Sequence, residues 1–329
     1  MFKFIVKRLM LCVVILFFVM LIVYTIMHSL PTSYVETVAR ELATRPGSTK
    51  SYQVWLAELN SRFGMDKGIF EGYFVWLKTA VRGDFGDSWF YGIPVIAEFK
   101  RVIWNSFFLG LVAMIIELVV AIPLGVVAAK KQYSVTDYTV TVFSLIGISL
   151  PTFFVATILK MIFAVKLGWL DISGMRGRDF LNMNEAQQFF DVLAHFIMPL
   201  ITLVIISIGG MMRYTRTNML EVLNSDYIRT ARAKGLSERR VINHHAFRNT
   251  LIPLVTIIGG MLPSLFAGAL ITETLFAIDG IGFISYNAMR AGDIPFTMFY
   301  MAFMAVLTLV GTLISDILYA VVDPRVRIN

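Results

Sequence analysis

Residues 102–129, VIWNSFFLGLVAMIIELVVAIPLGVVAA, run through twenty-eight positions with a single charged side chain, Glu117. A helix that crosses the hydrocarbon core of a bilayer needs about 20 mostly apolar residues, so this stretch alone is long enough to span a membrane. Five further runs of the same kind accompany it: 9–27 without a charge, 138–165 carrying Lys160, 192–212, 250–272, and 297–322 with Asp316 near its end. The composition agrees. With 57% hydrophobic and 16% charged residues in 329, and a mean hydropathy of +0.73, the chain is too apolar to keep a water-facing surface. An all-α integral membrane protein with six transmembrane helices is expected.

Orientation follows from Lys and Arg near the ends of the spans. With the N-terminus inside, the cytoplasmic segments hold fifteen basic residues, eight of them between Arg213 and Arg248, whereas the two short outer loops hold four: Lys166, Arg176, Arg178 and Arg290. The long segment 28–101 holds nine more, but segments of that length translocate largely regardless of charge. Both termini are therefore expected in the cytoplasm. Residues 1–28 form the cytoplasmic N-terminus and first helix, 29–101 a large extracytoplasmic segment, 102–322 the core of helices 2–6 with a cytoplasmic loop at 213–249, and 323–329 a cytoplasmic tail. The net charge of +7 is accounted for by this asymmetry and by contact with membrane lipid, so no nucleic-acid partner is expected. Cys12 is the single cysteine, which excludes an intrachain disulfide and a cysteine metal cage. The basic opening followed by a long apolar run reads as a retained anchor, because the run exceeds the ~7–15 residues of a signal-peptide core.

In the extracytoplasmic segment, SYQVWLAELNSRFGMD (51–66) and EGYFVWLKTAVRGDFGDS (71–88) place apolar residues at helical spacing. Val54, Leu56, Ala57 and Leu59 are expected on one helix face, and Phe74, Leu77 and Val81 on another. Residues 28–50, by contrast, read as polar and broken by Pro31, Pro46 and Gly47. Within the spans, Pro123, Gly125, Gly147, Pro151, Gly209, Gly210, Gly259, Gly260, Pro263 and Gly268 interrupt the apolar runs, where such residues kink helices or let backbones approach closely.

No phosphate-binding G-x-x-x-x-G-K-[ST], no H-E-x-x-H and no G-x-S-x-G occurs in the sequence. The four histidines do not form the intramembrane pair a haem would need. The chain is therefore expected to be no enzyme and to carry no cofactor, metal or catalytic residue of its own.

The most polar stretch between two spans is DYIRTARAKGLSERRVINHHAFRN, 226–249. Leu223 and Ile228 flank Asn224 as a hydrophobic staple flanks an N-cap, and Asp226 sits in the first turn, where the helix dipole favours an acid. Gly235 is placed to end that helix in the left-handed region, with Arg229, Arg232 and Lys234 near its carbonyl end. Leu236 and Val241 can staple a second start around Ser237. Two short helices hinged at a glycine are expected on the inner membrane face, with Tyr227, Ile228 and Ala231 forming a small knob for a partner's groove; the competing reading is a positive loop resting on anionic lipid.

Residues 227–253, YIRTARAKGLSERRVINHHAFRNTLIP, resemble the cytoplasmic signature loop of ABC importer permeases in the form found in the dipeptide, oligopeptide and nickel family. Arg229, Thr230 and Ala231 stand where the general pattern has E-A-A before Gly235, and the long spacing from Gly235 to Pro253 is similar to that of the peptide branch. GDFGDS (83–88) followed by Pro94, IPLGVVAA (122–129), SLPTFF (149–154), ETLFAIDGIG (273–282) and DPRVR (323–327) also resemble strings of that family, so the likeness covers nearly the whole chain. Two departures are LPTSYVE (30–36) in place of P-G-D-P, and Asp279 in place of a proline before the outer Gly-x-Gly.

The resemblance implies a type I importer permease fold, a permease subunit of an ATP-driven importer of di- or oligopeptides in a bacterial or archaeal cytoplasmic membrane. It implies as partners a second, similar permease chain in a heterodimer, two ATP-binding subunits that hold ATP and Mg, an extracytoplasmic binding protein and the peptide itself. Tyr227, Ile228, Arg229, Thr230, Ala231, Gly235 and Leu236 would couple the chain to the ATPases. Uptake of nickel or another small solute remains an alternative within the family, and an ion-gradient-driven secondary transporter an alternative outside it. The intramembrane charges Glu117, Lys160 and Asp316 are candidates for the translocation path, since a charge at bilayer depth usually faces protein or water. Glu117 is the deepest, and packing against a neighbouring helix is its other reading.

Overall fold

The structure, a computed structural model, describes residues 2–29, 34–46, 48, 50–63, 65–261 and 263–322, with the side chains of 2–9, 63, 252 and 316–322 excepted. Helix α1 (Phe2–Ser29) is followed by three short helices, α2 (Tyr34–Thr44), α3 (Tyr52–Phe63) and α4 (Ile69–Ala80). Then come α5 (Val95–Lys130), α6 (Val135–Ser149), α7 (Thr152–Leu159), continued by a π-helical turn Lys160–Lys166, and α8 (Glu185–Leu223). The polar stretch holds α9 (Asp226–Ala233) and α10 (Glu238–Arg240), and a second π-helical turn, Val241–Ala246, leads into α11 (Phe247–Met261). Helices α12 (Ser264–Ala267), α13 (Leu270–Phe276), α14 (Ile281–Ala291) and α15 (Ile294–Val322) complete the order. Among the described residues there is no strand beyond an isolated bridge, Asp87 with Pro94.

Among the described residues four helices are long and apolar enough to cross a membrane: the N-terminal one, α5, α8 and α15. Two bent pairs raise the possible number of spans to six. At about 1.5 Å per residue, the 39 residues of α8 extend ~58 Å, well beyond a ~30 Å hydrocarbon core, so α8 carries its chain past the apolar run 192–212. Pro123 and Pro199 lie inside α5 and α8 without ending them.

Two expected spans are not single helices. Residues 138–165 are divided into α6 and α7, which meet at 100°. Leu150 is extended, with φ −81° and ψ 128°, and Pro151 caps α7, as expected when a proline ring pushes the preceding residue out of the helical region. Residues 250–272 are likewise broken. The axis bends by 46° between 238–251 and 253–267, and Gly268, at φ +77°, separates α12 from α13.

The chain packs as two units, Met1–Trp104 with Ile284–Leu309, and Asn105–Phe283 with Val310–Ile328. In the first, Tyr73 of α4 is fully buried and donates its hydroxyl to the Phe17 carbonyl of α1 at 2.9 Å, joining a cluster with Met20, Tyr24 and Met298. Helices α3 and α4 turn inward only part of the expected faces, Leu56, Leu59 and Leu77. In α3 the inner face is Tyr52, Trp55, Leu56 and Leu59, while Val54 is exposed; in α4 it is Tyr73, Trp76 and Leu77, while Phe74 and Val81 are exposed. Helix α2 falls where broken polar chain is expected. It forms because Val35, Val38, Ala39 and Leu42 recur at helical spacing and pack on α3. The loop before α5 is tied down by Asp293, the N-cap of α15. Its carboxylate accepts the Phe296 N–H at 3.1 Å, the Phe90 N–H at 3.1 Å and the Ser88 hydroxyl.

In the second unit α6 lies against α8 so closely that a β-carbon on Gly147 would stand 2.6 Å from the Ile205 carbonyl oxygen. Such contacts suit helix pairs in a membrane, where association rests on packing. The pair is also clamped at one end by Arg216, whose guanidinium meets both oxygens of the buried Asp137 at 2.5 and 2.8 Å.

Candidate coupling segment and membrane cavity

The polar stretch forms the two hinged helices, with one shift. Ser225, not Asn224, is the N-cap of α9, because Asn224 is still bonded to Leu220 as the C-cap of α8. The first helix ends in a Schellman arrangement: the Gly235 N–H donates to the Arg232 carbonyl at 2.9 Å and the Leu236 N–H to the Ala231 carbonyl at 3.4 Å. This requires the left-handed backbone of Gly235, φ +76°, which a residue with a β-carbon adopts only at a cost of roughly 1–2 kcal/mol. Ser237 then caps α10. Across the hinge, Arg232 binds Glu238 through two hydrogen bonds, 2.9 and 3.2 Å; the Glu238 carboxylate holds the guanidinium pKa above its ordinary value.

The seven residues expected to couple do not share one face. Ile228 and Ala231 are buried in this chain's own cluster with Met219, Val241 and Ile242, and Leu236 packs against it. Tyr227, 48% exposed, and Arg229 and Thr230 face outward. The expected knob of Tyr227, Ile228 and Ala231 is therefore divided: two of its members anchor the helix, and the outer face is Tyr227, Arg229, Thr230, Ala233 and Lys234. Hydrophobic spacing alone could not tell which apolar residues of α9 point to the bundle.

Of the three charges expected in the spans, Glu117 lines a cavity. The cavity, about 310 Å³, lies in the second unit between α5, α8 and the α11–α13 segment. Ser106, Gly110, Ala113 and Glu117 line it along one face of α5, at the spacing of a helical stripe. Lys160, the second candidate for the path, is partly buried and donates to the Leu275 carbonyl at the end of α13 at 2.6 Å, away from the cavity lining. Asp316 lies in α15, and its side chain is outside the described residues.

Sequence reasoning missed Glu273 as a structural centre. It is fully buried and accepts hydrogen bonds from Ser106 Oγ at 2.7 Å, the Ala269 N–H at 2.9 Å and the Phe283 N–H at 2.8 Å, joining α5 to both sides of α13. Gly280 and Gly282 leave room for its carboxylate. The signal was present in ETLFAIDGIG, as an acid followed by small residues, but the loop that folds back over it is a tertiary feature.

The sequence profile of the binding-protein-dependent transport system inner membrane component matches residues 121–328, and its N-terminal companion matches 1–89. The chain belongs to this family. It is thus a transporter permease subunit and a multi-pass protein of the cytoplasmic membrane. Similar proteins include the oligopeptide transport system permease protein AppB of Bacillus subtilis, 41% identical over 81% of this chain and 83% of that one. The dipeptide transport system permease protein DppB of Escherichia coli K12 is 35% identical over 99% of both chains. The di/tripeptide transport system permease protein DppB of Pseudomonas aeruginosa is also 35% identical over 99% of both.

Proposed function

We propose that this chain is one of two permease subunits of an ATP-driven, binding-protein-dependent importer of di- or oligopeptides. The observation that carries the reading is likeness over essentially the full length to permeases named for dipeptide and di/tripeptide transport. The chain crosses the membrane six times with both termini inside, counting each bent pair as one crossing. The remaining parts are a second permease, two ATPases that bind ATP and Mg, and an extracytoplasmic binding protein. Closure of the ATPases pulls on the segment around Gly235, with Tyr227, Arg229 and Thr230 at the contact and Ile228, Ala231 and Leu236 transmitting the motion to the bundle. The cavity beside Glu117 is this subunit's share of the path.

The test is purification from native membranes and identification of the co-purifying chains, followed by uptake of labelled dipeptide in proteoliposomes with ATP supplied on the ATPase side. Two ATPases, a second permease and ATP-dependent uptake are expected. Peptide uptake by the chain alone under an ion gradient would overturn the reading.

A further inference from the structure

Among the described residues the buried carboxylates are, with one exception, satisfied by the chain itself. Glu98 is paired with Arg101 at 2.7 Å, Asp137 with Arg216, Asp293 with a hydroxyl and two backbone N–H groups, and Glu273 with a hydroxyl and two backbone N–H groups. Glu117 is the exception. It is only 5% exposed, and the side-chain group set beside it is the Ser207 hydroxyl, which itself donates to the Val204 carbonyl at 3.4 Å. None of the fifteen residues lining the cavity is Lys, Arg or His. A carboxylate at membrane depth, with a single neutral hydroxyl beside it, lacks the cation or array of donors that buried charges ordinarily have.

The cavity supplies the other half of a site. Its volume of about 310 Å³ lies at the lower end of the ~300–1,000 Å³ typical of small-molecule sites. Its walls combine Met114, Met261 and aliphatic side chains with the hydroxyl of Thr152, while those of Ser106 and Ser264 already donate to Glu273 and to the Met261 carbonyl. Methionine adapts to side chains of different shape, and hydroxyls can serve as donor or acceptor to backbone amides. Such a wall tolerates many side chains. What a peptide presents regardless of its sequence is a protonated amino terminus, and the carboxylate is the one group in the lining that would select it.

We propose that Glu117 and the cavity it lines form a subsite for the ammonium group of a peptide's N-terminus during passage. The inference rests on the peptide-import reading above and assigns within it the group that Glu117 receives. The test uses the assembled transporter, with dicyclohexylcarbodiimide labelling of Glu117 read by mass spectrometry. Trialanine is expected to suppress labelling, and N-acetyltrialanine at the same concentration to leave it unchanged. Equal suppression by both, or by neither, overturns the inference; the latter is also the outcome if a cation from the partner permease occupies the carboxylate. Wild-type trialanine uptake is measured alongside. If it is present and the labelling is insensitive to peptide, the subsite alone fails, whereas absent ATP-dependent uptake overturns the peptide-import reading itself. As a second arm, Glu117→Gln is expected to raise the KM for trialanine by about tenfold, the effect of losing one charge-assisted contact, with Glu117→Asp retaining part of the affinity. An unchanged KM in Glu117→Gln overturns the proposal. Should that variant fail to assemble, the wild-type labelling decides between the same two outcomes.

Discussion

Gly235 and Asp293 show how single residues set the geometry of this chain. An added β-carbon at Gly235 would meet nothing within 4 Å, so the constraint there is the backbone and not space. Gly235→Val should therefore leave the spans inserted and the complex assembled while turning α10 away from its angle. At roughly 1–2 kcal/mol of left-handed strain, a five- to thirtyfold shift in the population of the hinged state is expected, read as a loss of peptide-stimulated ATPase activity; full stimulation in the variant would mean that the segment is only a positive loop on lipid. Asp293 is buried among donors. Burial pushes its carboxyl above the ordinary 3.8, against the pull of Ser88 and the backbone N–H groups. An acid whose folded pKa is raised contributes stability that is fully present below its unfolded pKa and lost as pH rises through the folded one. Melting of the wild type should accordingly fall over that window, and Asp293→Asn should flatten the slope. Asp293→Ala, which strands three donors, should cost about 2–4 kcal/mol below that window, seen as a lower melting temperature.

At the scale of elements, α9 divides its duties by face. Ile228 has no exposed surface, and Ile228→Ala should destabilise the loop by about 2–4 kcal/mol, as removal of a buried aliphatic group does. Tyr227→Ala removes an outward ring and should leave folding intact while weakening binding of the ATPases, measurable by co-purification yield. The reverse pattern would place the docking face on the other side of the helix. Helix boundaries were legible where a cap and a staple coincide, as at Ser237 with Leu236 and Val241. They were misplaced by one residue at Ser225, because α8 runs on to Leu223 and its last turn claims Asn224. The bend between α6 and α7 was legible as a proline, but its 100° was not, since Pro151 disfavours helix at Leu150 without fixing the direction that follows.

For the whole molecule, topology is the open consequence of the charge distribution. Cysteines at Ser61 and Gly177 should react with an impermeant thiol reagent from outside intact cells, and one at Ser237 should not; labelling at Ser237 would reverse the orientation. The sequence by itself determined that the chain is helical, apolar enough for a membrane, asymmetric in charge and hinged at Gly235, because composition, charge and the left-handed preference of glycine act locally. Only the tertiary structure decided that Ile228 and Ala231 face inward, that Lys160 is held by the end of α13, and that Glu273 is a fastener while Glu117 opens on a cavity. A carboxylate is the same residue in both places. Its role follows from the donors that distant segments bring to it, and those cannot be counted along the chain.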